Sequence, residues 1–302
     1  VDETGCYATT TQELIVNPLP EIITPTPLEE CDDDYDGIVS FFDLSQKTEE
    51  ILNGQTGISV SYYETLENAE SGENPIEGLY TNIEVDTQTL YVRLEVDETG
   101  CYATTTQELI VNPIPTVLVG PAYEVCDDDY DGIGSYNLST LDETLLDGQT
   151  GVSISYYESQ EDADNATNVL DVNYQNTITD TQTLYVRLEV DETGCYATTT
   201  QELIVNPLPE IITPTPLEEC DDDYDGIVSF FDLSQKTEEI LNGQTGISVS
   251  YYETLENAES GENPIEGLYT NIEVDTQTLY VRLEVDETGC YATTTQELIV
   301  NP

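Results

Sequence analysis

The stretch that decides the fold is QTLYVRLEVDETGCYATTTQELIVNP, residues 88–113. Leu and Val occupy every second position of 89–96, alternating with Tyr, Arg and Glu. This period of two predicts a half-buried strand. Asp97–Gly100 has the composition of a turn, and the Thr-rich segment 102–111 is prone to β-structure. The stretch therefore predicts a long β-hairpin.

Working outward, the second half of this stretch belongs to a repeat. The block GCYATTTQELIVNP occurs four times, with its cysteine at Cys6, Cys101, Cys195 and Cys290. A second block, CDDDYDGI, occurs three times, beginning at Cys31, Cys126 and Cys220. Residues 1–113 and 190–302 are identical, whereas the copy between them differs. The repeat period of 94 or 95 residues suits a small all-β domain such as an immunoglobulin-like sandwich.

Domain boundaries are predicted at the proline motifs that follow each hairpin, Asn-Pro-Leu-Pro or Asn-Pro-Ile-Pro. Prolines at this spacing favour stiff, extended backbone. The resulting domains are repeat 1 (19–113), repeat 2 (114–207) and repeat 3 (208–302), and residues 1–18 correspond to the final strand of a preceding copy. We expect each repeat to be an all-β, Ig-like sandwich of about 95 residues. In repeat 1 the sequence predicts a further strand over 58–63 and one short helix between Ser45 and Gly54.

Charge excludes several classes of function. The 302 residues include 63 Asp and Glu, 5 Lys and Arg and no His, giving a formal net charge of −58. Too few cations are present to neutralise nucleic-acid phosphates or to bind an anionic membrane. Catalysis and metal ligation by His are excluded. No apolar run is long enough for a membrane helix, and the absence of Met indicates an internal part of a longer protein.

The regularly spaced cysteines predict disulfides and an oxidising compartment. One possible pairing lies within each domain and joins Cys31–Cys101, Cys126–Cys195 and Cys220–Cys290. The other crosses each junction and joins Cys6–Cys31, Cys101–Cys126 and Cys195–Cys220. The first is favoured because the first and last strands of a sandwich begin at the same pole, whereas the strand after Cys101 runs about 33 Å away from it.

The CDDDYDG block predicts a calcium site, because it matches the first half of a D-x-D-x-D-G loop. Its oxygen ligands are expected at alternate positions, with a further ligand at position twelve in repeats 1 and 3. The predicted ligands are Asp32, Asp34, Asp36 and Asp43 in repeat 1, Asp127, Asp129 and Asp131 in repeat 2, and Asp221, Asp223, Asp225 and Asp232 in repeat 3. The competing interpretation is a solvated acidic turn without a cation. Closely spaced carboxylates repel one another unless they are neutralised, which favours calcium.

No enzyme is predicted, because tandem copies argue against a single catalytic cleft and Ser or Cys nucleophiles lack a His base. A second non-enzymatic function rests on the Tyr-Tyr pairs at 62–63, 156–157 and 251–252. We expect each pair to place one ring in the core and one outside, where the outer ring offers a sugar-binding surface. The alternative function is therefore an array of carbohydrate-binding modules.

Together, CDDDYDGI, GQTGISVSYYETLENAESGENPI and QTLYVRLEVDETGCYATTTQELIVNPLP resemble repeats in giant cell-surface proteins of Flavobacteriia and other Bacteroidota. Those proteins are exported by the type IX secretion system and are often described as gliding-motility-associated. The resemblance covers every repeat. It implies an extracellular stalk or filament of Ig-like domains that serves adhesion, gliding or prey capture.

These observations lead to one functional expectation. The chain is interpreted as a structural, non-enzymatic segment of a long cell-surface filament or adhesin stalk. Its expected partners are further copies of the repeat in the same chain and identical chains associated laterally. We expect neither nucleic-acid binding nor membrane insertion.

Overall fold

The computed structural model describes residues 5–221 and 223–302. Repeats 1 and 3 contain the same succession of elements, to which repeat 2 adds two short strands. Repeat 1 contains β1 (Leu28–Cys31), a 3₁₀ turn (Leu44–Lys47), α1 (Thr48–Leu52), β2 (Ile58–Tyr63), α2 (Leu66–Ser71), β3 (Thr87–Val96) and β4 (Tyr102–Asn112). Repeat 2 contains β5 (Tyr123–Cys126), β6 (Ser135–Asn137), a 3₁₀ turn (Leu138–Thr140), α3 (Asp142–Leu146), β7 (Val152–Tyr157), α4 (Gln160–Asn165), β8 (Asn173–Gln175), β9 (Thr181–Val190) and β10 (Tyr196–Asn206). Repeat 3 contains β11 (Leu217–Cys220), a 3₁₀ turn (Leu233–Lys236), α5 (Thr237–Leu241), β12 (Ile247–Tyr252), α6 (Leu255–Ser260), β13 (Thr276–Val285) and β14 (Tyr291–Asn301).

A four-stranded sheet dominates each repeat. In repeat 1 its strand order is β1-β4-β3-β2, and repeats 2 and 3 have the equivalent orders β5-β10-β9-β7 and β11-β14-β13-β12. The predicted hairpin is confirmed as β3 and β4, which pair antiparallel, and β2 pairs antiparallel with β3. Three such neighbours correspond to the C-F-G sheet of the immunoglobulin fold. The edge strand β1 runs parallel to β4, with Cys31 opposite Asn112.

The second layer of the sandwich is small. A backbone bridge joins Phe42 to Tyr80 in repeat 1, and in repeat 2 the corresponding segments form a two-stranded sheet, β6-β8. This layer covers one face of the main sheet, where Leu90, Val92 and Leu94 are fully buried. The alternation in the sequence therefore correctly identifies the core face, and each repeat is an Ig-like β-sandwich.

The opposite face of the main sheet is covered by the second helix. Thr65 caps the start of α2 and Gly72 ends it at φ +75°, and Ala69 of this helix is fully buried. Tyr63 is buried as well as Tyr62. The expectation of an exposed second ring in each tyrosine pair is therefore wrong, because sequence analysis anticipated one helix and the helix that covers this face is an additional one.

Arg93 fixes α2 to this face. Its guanidinium donates to the carbonyl oxygens of Ala69 and Glu70, each 2.9 Å away, and pairs with Glu95 at 2.7 Å. It also lies over the ring of Tyr102, 3.5 Å from the ring centroid. The ring contact and the ion pair orient a cation that satisfies carbonyl groups at the C-terminal end of the helix.

Contacts divide the chain into two compact units. The first extends to Val117 and includes Gly148–Ile154 and Leu188–Ala197. The second comprises Leu118–Asp147, Ser155–Arg187 and Thr198–Pro302. Repeat 1 therefore shares a unit with the hairpin tip of repeat 2 and with the segment that begins β7, and most of the remainder of repeat 2 shares a unit with repeat 3.

Candidate functional site

Disulfides join consecutive repeats. Cys31 of repeat 1 is bonded to Cys195 of repeat 2 within the first unit, with 5.5 Å between their Cα atoms. Cys126 of repeat 2 is bonded to Cys290 of repeat 3 within the second unit, again with a Cα separation of 5.5 Å. Both bonds span 164 residues. In each, the cysteine that ends the first strand of a repeat meets the hairpin cysteine of the next repeat.

This arrangement corrects both pairings considered from the sequence. The favoured pairing within a domain, Cys31–Cys101, is wrong because β1 lies beside the far end of β4. Cys31 faces Asn112, whereas Cys101 precedes the start of the same strand. About ten residues of strand, roughly 33 Å, separate them, and a disulfide requires Cα atoms within about 7 Å. Pairing across the junction is also wrong. Cys101 and Cys220, each predicted to form a disulfide with another cysteine, are free thiols in the structure.

A tyrosine of the aspartate loop, the segment Cys31–Gly37, supports the first junction. Tyr35 has a left-handed backbone, with φ +73°, and its hydroxyl donates to the carbonyl oxygen of Pro115 at 3.0 Å. In repeat 2 the equivalent Tyr130 donates to Pro209 at 3.2 Å. The acidic loop of one repeat therefore holds the proline linker that leads into the next.

A glutamine fixes the other end of each linker. The Gln149 side-chain oxygen accepts from the backbone amide of Thr116 at 3.0 Å, and its amide nitrogen donates to the carbonyl of the same residue at 2.9 Å. Gln244 makes the same paired contact with Glu210. Sequence analysis missed these glutamines, although the block GQTG recurs in every repeat, including the divergent one.

Asp32 organises the aspartate loop from within. One of its carboxylate oxygens accepts from the amides of Asp34 and Tyr35, at 3.1 and 3.0 Å, and the other accepts from Gly37 at 2.9 Å. Gly37 has φ +76°, and a Cβ atom there would lie 2.6 Å from a Val85 side-chain carbon. The glycine is therefore required by backbone conformation and by close packing.

The carboxylates of the loop differ in their electrostatics. Burial works to raise the pKa of Asp32, but the backbone amides that it accepts from together outweigh burial and lower that pKa. Desolvation and the neighbouring charge of Asp36 raise the pKa of Asp34. In repeat 2 a hydrogen bond with Asp131, assisted by desolvation, raises the pKa of Asp129. Asp34 and Asp129 are thus less easily ionised than an isolated carboxyl group.

The structure brings together most of the predicted ligands. Within each group the candidate ligand atoms lie within 4.8 Å of one another, and the groups are Asp32, Asp34 and Asp36; Asp127, Asp129 and Asp131; and Asp221, Asp223 and Asp225. Asp43 and Asp232 belong to none of these groups in the described part of the chain. They instead cap the 3₁₀ turns, accepting from Ser45 and Ser234 respectively. The twelfth-position ligands therefore stay a prediction, and the role that the structure shows for these two carboxylates is that of a cap.

A buried asparagine, which sequence analysis also missed, holds the loop against the sandwich. Asn82 accepts from the Val39 amide at 2.9 Å and donates to the Gly37 carbonyl at 2.9 Å. Asn176 and Asn271 make equivalent contacts in the other repeats. The block that carries it, Tyr-Thr-Asn or Tyr-Gln-Asn, recurs in every repeat, but an asparagine in such a segment is also typical of an ordinary turn.

Comparison with known families shows which family the chain belongs to. The model of the Flavobacterium inter-domain disulphide bond domain matches residues 27–115, 122–209 and 216–302. The chain belongs to this family. Its three Flavobacterium inter-domain disulphide bond domains contain the two bonds that connect successive repeats. No curated protein matches the chain.

Several solved structures have weak similarity to the chain. An I-band fragment of titin shares 10% identity, covering 82% of this chain and 89% of that one, with a TM-score of 0.29. Domains 7, 8 and 9 of the S-layer protein SbsC share 11% identity, covering 74% of each chain, with a TM-score of 0.28. Drosophila N-cadherin EC1-4 shares 12% identity, covering 91% of this chain and 74% of that one, with a TM-score of 0.19. These scores are low, and the fold assignment rests on the sheets themselves.

The described residues include no helix that is both long and apolar enough to cross a lipid bilayer.

Proposed function

We propose that this chain is a structural, non-enzymatic segment of an extracellular cell-surface filament or adhesin stalk. The observation that carries this proposal is the pair of disulfides between successive repeats, Cys31–Cys195 and Cys126–Cys290. Such bonds persist in oxidising compartments, which supports a location outside the cytoplasm. Adhesion, gliding or prey capture and export by type IX secretion are the roles that the sequence resemblance adds.

The proposed role as a stalk can be tested by stretching the chain, because the disulfides limit its extended length. In the fully reduced chain all 302 residues can be extended. In the oxidised chain the shortest covalent path runs to Cys31, crosses to Cys195, returns to Cys126 and crosses to Cys290, which leaves about 110 residues of backbone. At about 3.4 Å per extended residue, full extension falls from about 1,000 Å to about 370 Å.

Single-molecule stretching between the two termini measures this difference directly. We expect the oxidised chain to stop at the shorter length and a reducing agent to restore the longer one. The double variant Cys195→Ser, Cys290→Ser is the matched control and should extend fully without reductant. Equal lengths under oxidising and reducing conditions would contradict a mechanical role for the bonds.

We also propose that calcium occupies the aspartate loops. The grouped carboxylates of the three loops support this, since hard oxygen ligands suit Ca²⁺. The raised pKa values of Asp34 and Asp129 support it as well, because a divalent cation would relieve the unfavourable ionisation of these carboxyls. Isothermal titration of the chelator-treated chain with calcium should show saturable binding. The test is negative if no heat above dilution is seen.

The tyrosine pairs do not favour carbohydrate binding. The second ring of each pair, at Tyr63, Tyr157 and Tyr252, is buried. A buried ring cannot stack on a sugar. The structural function is therefore the one retained.

A further inference from the structure

Repeats 1 and 3 expose an apolar surface that repeat 2 lacks. In repeat 1 this surface, which we call the apolar patch, consists of four side chains that are each between 55% and 66% exposed: Phe41, Leu79, Ile83 and Val85. In repeat 3 the equivalent side chains are also more than half exposed: Phe230, Leu268, Ile272 and Val274. Large apolar side chains that are exposed as a group, rather than singly, mark interaction sites.

The second layer of the sandwich brings the patch residues to one face. Phe42 and Tyr80 form the backbone bridge of this layer, and both side chains are buried. Because side chains alternate along an extended segment, the neighbouring Phe41 and Leu79 lie on the outer face, diagonally across the bridge. The other two patch residues follow Leu79 at even spacings along the same segment.

The divergent repeat carries a polar version of this surface. Alignment on the buried asparagine that the repeats share places Asn173, Thr177 and Thr179 at the positions of Leu79, Ile83 and Val85. Repeat 2 is one residue shorter before its 3₁₀ turn and has no equivalent of Phe41. Repeat 2 nevertheless forms the same four-stranded sheet. The fold therefore does not require the apolar patch, which leaves binding as its use.

A groove opens beside the patch. Its volume is about 400 Å³ in repeat 1 and about 380 Å³ in repeat 3. In repeat 1 it is lined by apolar side chains and one carboxylate, among them Leu44, Val60, Ile76, Leu79 and Asp43. The Asp43 carboxylate is fixed there, since it accepts from the amide and the hydroxyl of Ser45 at 3.1 and 2.6 Å. Repeat 2 has the neutral Asn137 at this position.

The charge around the patch is acidic. Segment 31–46 contains five Asp or Glu and segment 77–86 contains three, and neither contains Lys or Arg. Glu77 and Glu84 of the patch segment are exposed. Lys47, which follows the first segment, is already paired with Glu50 at 3.6 Å. A second copy of this chain would set acid against acid at this surface, so that charge complementarity favours a partner that is both apolar and basic.

We propose that repeats 1 and 3 each bind a basic, apolar segment of a partner protein. Apolar side chains of the partner cover the patch, and a Lys or Arg side chain enters the groove toward Asp43 in repeat 1 or Asp232 in repeat 3. Such a side chain suits the groove because its aliphatic stem packs on apolar walls while its cation meets the carboxylate. The inference adds a partner to the proposed structural function and does not depend on the disulfides that support that function.

The test is isothermal titration of the full oxidised chain with synthetic peptides of about eight residues, long enough to follow the patch segment. One peptide alternates Lys and Leu, a second alternates Lys and Ser, and a third alternates Glu and Leu, each used at concentrations where it is monomeric. About 0.15 M salt screens unspecific ion pairing. We expect two Lys-Leu peptides to bind per chain, and the other two peptides to bind about tenfold or more weakly.

Variants with unchanged net charge assign the binding to the patch. The patch variant gives repeats 1 and 3 the side chains that repeat 2 carries: Leu79→Asn, Ile83→Thr, Val85→Thr, Leu268→Asn, Ile272→Thr and Val274→Thr. We expect it to bind the Lys-Leu peptide about tenfold or more weakly than the parent chain. The matched control removes similarly exposed apolar side chains of repeat 2, Val172→Thr and Ile178→Thr, and should bind like the parent.

The groove is tested by the double variant Asp43→Asn, Asp232→Asn. An amide keeps a side-chain oxygen for the cap, as Asn137 shows in repeat 2 by accepting from the Ser139 hydroxyl at 2.8 Å. The variant should weaken binding of the Lys-Leu peptide severalfold and leave the Glu-Leu peptide unaffected, because it removes only the carboxylate that meets the cation.

The altered side chains of the patch variant are exposed, so that it should melt like the parent chain. If it melts lower, the pair Leu79→Asn, Leu268→Asn replaces it. The proposal is overturned if the Lys-Leu peptide gives no heat above dilution, if the Lys-Ser or Glu-Leu peptide binds as tightly, or if the patch or groove variants bind like the parent. A parent chain that sediments as a dimer, when the patch variant does not, would show instead that a second copy covers the patch. A shorter oxidised length on stretching would leave the proposed structural function standing in each case.

Discussion

The Tyr35 hydroxyl lies 3.0 Å from the carbonyl oxygen of Pro115, so that an acidic loop of one repeat is bonded to the linker that begins the next. The same relationship recurs between Tyr130 and Pro209 at 3.2 Å. Both tyrosines lie a few residues beyond a disulfide cysteine. Each loop therefore supplies one disulfide and one hydrogen bond to the same junction. The acidic repeat motif is therefore an element of the joint as well as a candidate cation site.

Removing these hydroxyl groups should weaken the junctions measurably. The double variant Tyr35→Phe, Tyr130→Phe loses two hydrogen bonds, each worth about 1 kcal/mol. We expect the melting temperature to fall by a few degrees in differential scanning calorimetry. Tyr224→Phe is the matched control and should melt like the parent chain, since this ring is 90% exposed. Equal effects of the three substitutions would contradict a role in the junction.

The inter-repeat disulfides should dominate stability. Each bond closes a loop of 164 residues, which in the chain-entropy model stabilises the folded state by about 5 kcal/mol. Cys195→Ser should therefore lower the denaturant midpoint of the first unit far more than Cys101→Ser, which removes a free thiol. Urea titration followed by tyrosine fluorescence checks this. Similar midpoints for the two variants would argue against the bond.

Asp34→Asn should have opposite effects with and without calcium. Desolvation and the charge of Asp36 raise the pKa of Asp34 and disfavour its ionised form. In excess chelator a neutral amide should therefore raise the melting temperature. In millimolar calcium the same variant should melt below the parent chain, because it lacks one ligand of the proposed site. A variant that melts above the parent in both buffers would indicate an acidic turn without a cation.

Acid should destabilise the loops through Asp32 and Asp221. At Asp32 burial is the largest single influence and works to raise the pKa, but the backbone amides together outweigh it and lower the pKa. At Asp221 backbone amides also lower the pKa, and the Gly226 amide contributes most. A carboxyl with a lowered pKa in the folded state stabilises the fold above its unfolded pKa of about 4 and loses that contribution as pH falls through the folded value. We expect the melting temperature to fall between about pH 4 and pH 2.

Variants that each remove one loop carboxyl can show which carboxyls cause the loss of stability in acid. Asp32→Asn should reduce the loss of stability below pH 4 relative to the parent chain, because the amide does not titrate. Asp34→Asn should increase it, because the raised pKa of Asp34 contributes stability at low pH that is lost as pH rises. Melting curves of both variants from pH 6 to pH 2 provide the comparison. If the melting temperatures of both variants depend on pH in the same way as that of the parent chain, the loop carboxyls do not control the transition.

Local patterns predicted much of the fold. The alternation over 89–96 identified the central strand and its core face, and the predicted strand over 58–63 matches β2, Ile58–Tyr63. The second helix was missed, although Thr65 and Gly72 supply ordinary cap signals. These signals border a segment with only Leu66 and Ala69 as apolar residues, too few to produce a helical periodicity.

Disulfide pairing could not be predicted from the same patterns. The register of β1 on β4 places Cys31 at the far end of the hairpin strand, and no local signal in four residues of edge strand fixes that register. The aspartates of the loop were grouped correctly because their spacing alone determines their proximity. The capping role of Asp43 was not predicted, because it depends on the turn that follows.

The two disulfide loops overlap. One closes residues 31–195 and the other closes 126–290, so every peptide bond between Cys31 and Cys290 is bypassed by at least one of them. A single protease cut anywhere in that interval leaves the two fragments covalently attached, and a cut within 126–195 is bypassed twice. In the extracellular location proposed above, exposed loops would be accessible to proteases. A chain linked in this way stays in one piece after a nick that would divide an ordinary string of domains.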